Sequence, residues 1–420
     1  MSSENNSSIS NSSSSDAKTF SNPPTKKTKQ KKKISGSDLN SLPEIQAILD
    51  DPNTNTLKFT ITNINVSLAN AIRRVIIAEI PTIVFRTFPY EHNKSEFIKN
   101  TSRMNNEILK QRLSCIPINV KIEDSNDFIN NHILEVDVRN ESDIIKYLTT
   151  EDFKVKNKHT GMYIEDIKQK EIFPPDPFTN DYIVFARLKP PIGANDIKGE
   201  HVKFTSEFDI GIAKEDSAFN VASTCCYKAV VDIEKANEIW NEKEKKMLQE
   251  ETSKEEIKKL KNDWFLLDAK RQIIDDSFEF TIKTIGQYSN TDLVAKACEI
   301  IINKFDNYYN KLEENINLIE TSMVTIENCF DVNLPEGEDY TLGKIIEYLL
   351  YYKHMKSVGV FDNTITFCGF RKPHPHLNKS YIRVAFDKKI EKEQVKKYIY
   401  ATIEDAKKIY NIIYKKFGRY

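Results

Sequence analysis

A short pattern occurs twice in this chain, at positions far apart, and it limits the folds that the chain can adopt. Residues 67–76 read Ser-Leu-Ala-Asn-Ala-Ile-Arg-Arg-Val-Ile, and residues 341–350 read Thr-Leu-Gly-Lys-Ile-Ile-Glu-Tyr-Leu-Leu. Each copy begins with a hydroxyl residue that suits a helix N-cap, and then places a leucine, a small residue and an isoleucine at matching offsets. The pattern predicts two related units joined in one polypeptide.

The length of the chain and its N-terminal composition support a multidomain organisation. A chain of 420 residues is too long for one ordinary core, so two or three domains plus tails are expected. Residues 1–45 are rich in Ser, Asn, Lys and Pro and contain few apolar side chains, which predicts a disordered tail. The basic run Lys26–Lys33 is typical either of a nuclear-import signal or nucleic-acid-binding arm, or of a solvated tail that aids solubility.

Composition argues against several classes of protein. No apolar run approaches the ~20 residues that span a bilayer, and the N-terminus has no apolar segment of the kind found in secretory signals. The 6 cysteines show no paired spacing, which indicates a reducing compartment. A net charge of −1 argues against a protein that coats nucleic acid with its whole surface. These features predict a soluble intracellular protein.

The first repeated helix is expected to follow a strand. Order is predicted from near Leu57, because residues 57–61 alternate apolar and polar side chains as a half-buried strand does. The apolar stripe of the helix starts at Leu68 and ends at the charged Glu79, and Pro81 stops the helix.

Shifts in composition divide the rest of the chain. Residues 234–262 carry many Glu and Lys side chains at helical spacing and predict a surface helix or helical hairpin, and residues 291–318 predict a long amphipathic helix. A strand around residues 324–326 is expected to open the last unit, which a long C-terminal helix closes. The predicted domains are a tail (1–45), a first domain in two parts (46–92 and 201–318), a mixed α/β insert domain (93–200) and a last domain (319–420).

Motifs for catalysis or metal binding are missing from the sequence. A magnesium centre needs closely spaced carboxylates, and the nearest approaches, Asp124 with Asp127 and Asp275 with Asp276, are more typical of solvated loops. There is no phosphate-binding glycine loop, no His-Glu-x-x-His and no Cys-x-x-Cys. We therefore predict no catalytic, cofactor-binding or metal-binding residue, and no cofactor.

Several segments resemble a known family. Residues 65–82, which begin Asn-Val-Ser-Leu-Ala-Asn-Ala-Ile-Arg-Arg, closely resemble the opening of the alpha-like subunits of multisubunit RNA polymerases. These include bacterial alpha, archaeal D and the third-largest subunit of eukaryotic RNA polymerase II. Residues 105–118, which contain Arg-Leu-Ser-Cys-Ile-Pro, look like the family's Arg-Leu-x-x-Ile-Pro segment. Residues 278–286 and the helix from Thr291 match its late strand and helix.

The end of the chain resembles a different member of the same family. Residues 338–343 and 368–375, the latter reading Cys-Gly-Phe-Arg-Lys-Pro-His-Pro, resemble the small alpha-like partner that is called L in archaea. The resemblance implies an α+β fold in which two alpha-like dimerisation domains, each an antiparallel sheet plus helices, pair about a pseudo-twofold axis. The first domain is interrupted by the insert. The chain would then be a D-like part followed by an L-like part.

The chain departs from the family pattern in three ways. The Cys-rich metal loop of many relatives is missing from the insert, so no zinc or iron–sulfur role is carried over. The charged stretch 234–262 exceeds the usual pattern. Cellular eukaryotic and archaeal polymerases keep the two partners as separate chains, and a fused form looks like the arrangement in large DNA viruses. A viral origin would imply the host cytoplasm or the virion, whereas the Lys26–Lys33 run leaves the nucleus open.

The resemblance implies the role of a non-catalytic assembly platform for a DNA-dependent RNA polymerase. The partners would be the largest and second-largest subunits and small zinc-bearing subunits, with DNA reached only through the complex, no membrane and no homo-oligomer. Arg73 and Arg74 are candidates for docking the second-largest subunit, and ordinary surface ion pairs are the alternative. The residues expected to join the two repeated helices are Leu68, Ala69, Ile72, Val75 and Ile76 in the first and Leu342, Gly343, Ile345, Ile346 and Leu349 in the second.

Two other classes of function stay open from the residues alone. A free-standing nucleic-acid-binding transcription regulator would use the Lys26–Lys33 arm and would bind DNA in a salt-dependent manner. An enzyme would need a carboxylate or metal cluster assembled from distant segments.

Overall fold

The computed structural model describes residues 42–191, 198–251, 253–355 and 364–418. The elements form an α+β fold in which all paired strands run antiparallel, as predicted. The strands are β1 (Glu44–Asp51), β2 (Thr56–Thr62), β3 (Thr82–Val84), β4 (Ser95–Asn100), β5 (His132–Arg139), β6 (Lys146–Thr149), β7 (Lys154–Asn157), β8 (Val184–Leu188), β9 (His201–Glu207), β10 (Asp209–Gly211), β11 (Ala222–Val231), β12 (Ile273–Thr284), β13 (Ile319–Thr321), β14 (Cys329–Asn333), β15 (Ile365–Arg371) and β16 (Tyr381–Phe386). The helices are α1 (Val66–Ala78), α2 (Asn106–Ser114), α3 (Ser125–Asn131), α4 (Asp166–Ile172), α5 (Ile233–Gln249), α6 (Lys254–Leu266), α7 (Asn290–Glu314), α8 (Tyr340–His354) and α9 (Lys392–Phe417).

Two four-stranded sheets repeat one topology. The first has the order β1-β2-β12-β11 and the second the order β13-β14-β16-β15. Along the chain each sheet is built as strand, strand, short helix, strand, strand, long helix, with α1 and α7 in the first set and α8 and α9 in the second. Equivalent helices contact each other, α1 with α8 and α7 with α9, which is the pattern that a twofold relation between the sets produces.

One hydrophobic core serves both sheets. Leu57, Phe59 and Ile61 alternate along β2 and are buried, as their period of two predicted. The ring of Phe59 stacks on Phe280 of β12 at 5.1 Å and also meets Phe417 of α9 at 4.8 Å. Side chains from both sheets and from α1, α7, α8 and α9 thus form a single apolar cluster.

The inserted segment has a second core of its own. It contains the sheet β4-β9-β5-β7 and the two-stranded sheet β6-β8. A separate apolar cluster joins these sheets and includes Ile83, Phe85 and Phe208. These three residues lie outside the range 93–200, so the packing of the insert begins earlier and ends later than the composition indicates.

The charged stretch after β11 forms a helical hairpin, which confirms one of the two predicted forms. Helices α5 and α6 enclose Trp240 and Trp264 in a small cluster separate from the other two cores. The Lys243 ammonium lies 3.7 Å from the ring centroid of Trp264, and Lys261 lies 5.9 Å from that of Trp240. Each helix therefore covers the tryptophan of the other with a lysine.

Several predicted boundaries are wrong. Order does not begin near Leu57, because β1 precedes β2 and pairs with it along its length. Residues 324–326 form no strand and lie in the bend between β13 and β14, where Asn328 has a left-handed backbone (φ 51°). The long helix predicted to residue 318 ends at Glu314. Of the predicted tail, residues 1–41 lie outside the described residues.

Candidate functional site at the interface of the repeated helices

The residues predicted to join the two repeated helices all lie in the shared core. Helices α1 and α8 contact each other, and the aliphatic side chains that were predicted to join them are 0–1% exposed. The buried set is Leu68, Ala69, Ile72, Val75 and Ile76 of α1 with Leu342, Gly343, Ile345, Ile346 and Leu349 of α8. Burial of each large aliphatic side chain contributes about 1.5–3 kcal/mol relative to exposure, so neither helix face is compatible with open solvent.

Both helices are capped two residues before the hydroxyl residues that were predicted to cap them. The Asn65 side chain accepts from the backbone N–H of Ser67 at 2.8 Å, and the Asp339 side chain accepts from that of Thr341 at 3.3 Å. The assignment of Ser67 and Thr341 as caps is therefore wrong, because an Asx side chain precedes each and satisfies the orphan N–H first. The repeated pattern therefore begins two residues earlier in each copy, with Asn65 and with Asp339.

Gly343 is required by a neighbouring strand. A Cβ added at this position would overlap the ring of Phe370 on β15. At this position the glycine thus seats an aromatic ring of its own sheet against α8. Phe370 also meets the ring of Tyr340 at 5.1 Å.

Arg74 connects the two helices directly. Its Nη2 donates to Asp339 Oδ1 at 2.9 Å, and its Nε donates to Thr341 Oγ1 at 3.0 Å. The side chains of Arg74 and Asp339 are 34% and 23% exposed, so solvent screens this pair only in part. Arg73 makes a local contact instead, since its Nε donates to Asn70 Oδ1 at 2.9 Å. The two adjacent arginines thus have different surroundings.

A largely buried ion triad lies where three elements meet. Lys304 Nζ of α7 lies 2.5 Å from Glu79 Oε2, just after α1, and 2.9 Å from Glu338 Oε2, just before α8. The three side chains are 12–15% exposed. Burial alone would lower the pKa of the Lys304 ammonium, but the charges of Glu338 and Glu79 outweigh it, so that the pKa is raised and the group stays charged.

Each long helix makes a polar contact with the other repeated set of elements. The Tyr308 hydroxyl of α7 donates to the Asn333 carbonyl of β14 at 3.3 Å, and the Tyr410 hydroxyl of α9 donates to the Leu68 carbonyl of α1 at 3.1 Å. Burial raises the pKa of both hydroxyls well above the usual range, so they remain protonated donors. Both long helices are thus fixed by polar contacts as well as by packing.

Sequence reasoning missed the polar residues of this interface. Glu79 had been placed on the apolar stripe of α1, and a carboxylate on such a stripe is a signal for a buried partner. Lys304 lies seven residues after Ala297, on the buried face of α7, which is a similar signal. The sequence did not show that these residues form ion pairs with one another, because Glu79, Lys304 and Glu338 come from three distant segments.

The arrangement is built for packing. In the described parts of the chain, no group of three or more His, Cys, Asp or Glu side chains is placed to hold a metal ion. No helix among the described residues is long and apolar enough to cross a bilayer. The described residues form a joined pair of sheets that one apolar core, an ion triad and the contacts of α1 with α8 and of α7 with α9 hold together.

Comparison with known proteins agrees with this architecture. The family model described as the RNA polymerase Rpb3/Rpb11 dimerisation domain matches residues 58–305, a range that ends before β13. The chain is 23% identical over 274 residues to the DNA-directed RNA polymerase subunit Rpo3 of Methanosphaera stadtmanae, covering 61% of this chain and 94% of the relative. It is 25% identical over 278 residues to Rpo3 of Thermococcus kodakarensis, covering 62% and 94%.

A eukaryotic relative shows the same relation. The chain is 25% identical over 295 residues to the DNA-directed RNA polymerases I and III subunit rpac1 of Dictyostelium discoideum, covering 63% of this chain and 79% of the relative. The family model spans more than half of the chain and includes most of β2, all of β11, β12 and α1, and most of α7. The chain belongs to the RNA polymerase Rpb3/Rpb11 dimerisation-domain family of alpha-like DNA-directed RNA polymerase subunits.

Proposed function

We propose that this chain is a non-catalytic assembly subunit of a DNA-dependent RNA polymerase, in which two alpha-like partners are joined as one polypeptide. The observation that carries the proposal is the repeated topology: two sheets of the same strand order, each with a short and a long helix, share one core through equivalent helices. The first set corresponds to the D-like part with its insert. The second set, beyond the range matched by the family model, corresponds to the L-like part.

Joining the partners has a clear thermodynamic effect. Obligate interfaces bury on the order of 2,000 Å² or more, and separate chains must lose translational and rotational freedom to form them. Covalent linkage turns that association into an intramolecular step with an effective concentration of about millimolar. The platform would then form at fixed 1:1 stoichiometry before any large subunit binds.

The proposed docking surface for the second-largest subunit is centred on Arg73 and Arg74. Arg74 keeps about a third of its side-chain surface exposed while it pairs with Asp339, so the internal contact orients it. Among the described residues, Arg73 donates a local side-chain hydrogen bond to Asn70. A fixed pair of guanidinium groups suits a carboxylate-bearing surface on a partner.

The experiment is a native pull-down of the tagged chain followed by mass spectrometry. The proposal predicts recovery of two very large polymerase subunits and of small zinc-bearing subunits. Recovery of the chain alone, with DNA binding that depends on Lys26–Lys33, would instead support a free-standing regulator.

Docking is tested by reversing the charge at each of the two arginines in turn. Arg73→Glu leaves the Arg74–Asp339 pair in place and should reduce recovery of the second-largest subunit. The swap Arg74→Glu/Asp339→Arg restores an internal ion pair but reverses the charge at position 74, and should also reduce recovery. Wild-type recovery in both variants would refute the docking surface.

The fused arrangement also bears on source and location. A joined D-like and L-like chain looks like the arrangement in large DNA viruses, so the proposal extends to a viral polymerase that acts in the host cytoplasm or is packaged in the virion. Detection of the chain in purified virions, or its tracking in infected cells, is the direct test.

A further inference from the structure

A basic cleft lies at one end of the insert sheet, well separated in sequence from the helix interface. It has a volume of about 410 Å³ and is lined by Lys99 at the end of β4, Arg139 at the end of β5, Lys189 after β8 and Lys198 before β9. The antiparallel order β4-β9-β5 brings these strand ends to the same edge, as the pairing of Asn100 with Val202 and of Arg139 with His201 shows.

The four cations of this cleft have no acidic partner among the described residues. Elsewhere on the same sheet lysines are paired, as in Lys203 with Asp137 at 2.7 Å and Lys156 with Glu135 at 3.2 Å. Among the described lining residues the one carboxylate is Glu200, and its Oε2 accepts from the backbone N–H of Lys189 at 2.8 Å. The described lining thus carries four cations against one carboxylate, and like charges around one cavity repel each other, so an anionic occupant would stabilise the arrangement.

The backbone that carries these cations is firmly held. The Thr101 N–H donates to the His201 carbonyl at 3.0 Å, and the Asn140 N–H donates to the Glu200 carbonyl at 2.9 Å. A Cβ at Gly199 would overlap the carbonyl oxygen of Asn140, so glycine permits a close approach of two chain segments beside the cleft. The cationic side chains therefore project from a fixed frame.

Arg139 is oriented by its neighbour. Its Nη2 lies 3.1 Å from His201 Nδ1, and His201 Nε2 lies 2.6 Å from Asp137 Oδ1. Because a guanidinium can only donate, Nδ1 must accept and the ring proton must lie on Nε2 facing Asp137. The linked side chains of Asp137 and His201 thus hold the Arg139 guanidinium in place, and no carboxylate among the described residues pairs with its charge.

We propose that this cleft binds phosphate groups of a nucleic-acid backbone. Lys and Arg groups on a fixed frame match phosphodiester oxygens, and none of the described residues that line the cleft is Phe, Tyr or Trp, while the His201 ring is held between Arg139 and Asp137, so a platform for base stacking is not offered. Binding should therefore be independent of sequence and strongly dependent on salt. The identification of the phosphate as part of a nucleic acid rests on the proposed function. The presence of a cationic cleft does not depend on that function.

The test compares two triple variants of the full chain with equal loss of charge. The cleft variant is Lys99→Gln/Lys189→Gln/Lys198→Gln, and the control is Lys245→Gln/Lys258→Gln/Lys259→Gln on the exposed faces of α5 and α6. Fluorescence anisotropy with labelled oligothymidylate is measured over a series of NaCl concentrations. The cleft variant should bind roughly tenfold more weakly than the control at low salt, and its log–log salt slope should fall by about 2, since each phosphate contact contributes about 0.7 for single strands.

The outcomes that would overturn the proposal are distinct. Equal affinity and an equal salt slope in the two variants would show that the cleft does not bind the oligonucleotide, because the N-terminal lysines are unchanged in both proteins. Displacement of the oligonucleotide by polyglutamate as effectively as by unlabelled oligothymidylate would show charge binding without phosphate recognition. Cleft-dependent binding of ATP without binding of oligothymidylate would assign the cleft to a free nucleotide instead.

The same variants separate this inference from the assembly role. The cleft variant should recover the large polymerase subunits at wild-type yield in the pull-down, because its substitutions lie away from the helix interface. Cleft-dependent oligonucleotide binding by a chain that recovers no large subunit would contradict the proposed function and support the cleft.

Discussion

The hydroxyl of Tyr410 donates a hydrogen bond of 3.1 Å to the backbone carbonyl of Leu68, which lies 342 residues earlier in the chain. Both groups are buried. A carbonyl in the first turn of α1 thus receives a hydrogen bond from the C-terminal helix, in addition to the bond that helix geometry gives it within α1. The contact links one repeated unit to the other by a polar group that water cannot replace.

Tyr410→Phe should destabilise the protein without changing its fold. The substitution leaves the ring in place and removes only the donor to Leu68, so a loss of about 1–2 kcal/mol in the free energy of unfolding is expected. Chemical denaturation followed by circular dichroism measures it. Tyr414→Phe is the matched control on the same helix, because Tyr414 is 38% exposed, and it should be nearly neutral. Equal effects of the two changes would contradict the role given to the hydrogen bond.

Gly343→Ala should destabilise α8, against the trend for helices. In an exposed helix interior the change from Gly to Ala stabilises by about 1 kcal/mol. Here the new methyl group would overlap the Phe370 ring, and overpacking of this kind costs about 1–3 kcal/mol. Thermal unfolding of Gly343→Ala and of the double variant Gly343→Ala/Phe370→Leu tests the cause, since the smaller side chain should relieve part of the loss. A more stable Gly343→Ala protein would show that the ring does not occupy this position.

Lys304→Met should be among the more damaging single changes. It leaves Glu79 and Glu338 as uncompensated, mostly buried carboxylates, for which losses of about 3–5 kcal/mol are typical. The triple variant Lys304→Met/Glu79→Gln/Glu338→Gln removes all three charges and should recover most of the loss. Failure of the triple variant to recover would mean that the site depends on shape more than on charge compensation.

The pH dependence of the Lys304 contribution has a defined sign. Because the pKa of Lys304 is raised in the folded protein, its contribution is fully present below the unfolded value of about 10.4 and is lost as the pH rises through the folded value. The difference in unfolding free energy between wild type and Lys304→Met should therefore be constant near neutral pH and shrink above about pH 10.4. A difference that grows in this range would contradict the direction of the shift.

The apolar residues of the interface could be predicted from the sequence, whereas its ion pairs could not. The stripe of Leu68, Ile72 and Val75 has helical period and is buried as predicted, because hydrophobic periodicity reports which face meets a core. The ion triad depends on Glu79, Lys304 and Glu338, which only the tertiary fold brings together. Local pattern cannot specify a contact of that kind.

Two strand predictions show how local pattern misleads. Strand β1 was missed because most of its residues are exposed and a register shift between Gln46 and Leu49 interrupts the alternation. The β-branched run Val324-Thr325-Ile326 was assigned as a strand, but it lies in a bend next to the left-handed Asn328. Strand propensity depends on having a partner to pair with, and the sequence does not show where one is.

Dividing the chain between α7 and β13, with residues 1–316 and 317–420 expressed as separate polypeptides, tests directly whether the chain is a joined pair of alpha-like partners. We expect the two pieces to copurify as a 1:1 heterodimer and each alone to aggregate, because each would expose its half of the shared core. Two soluble pieces that do not associate would contradict the proposal that the chain is a pair of alpha-like partners.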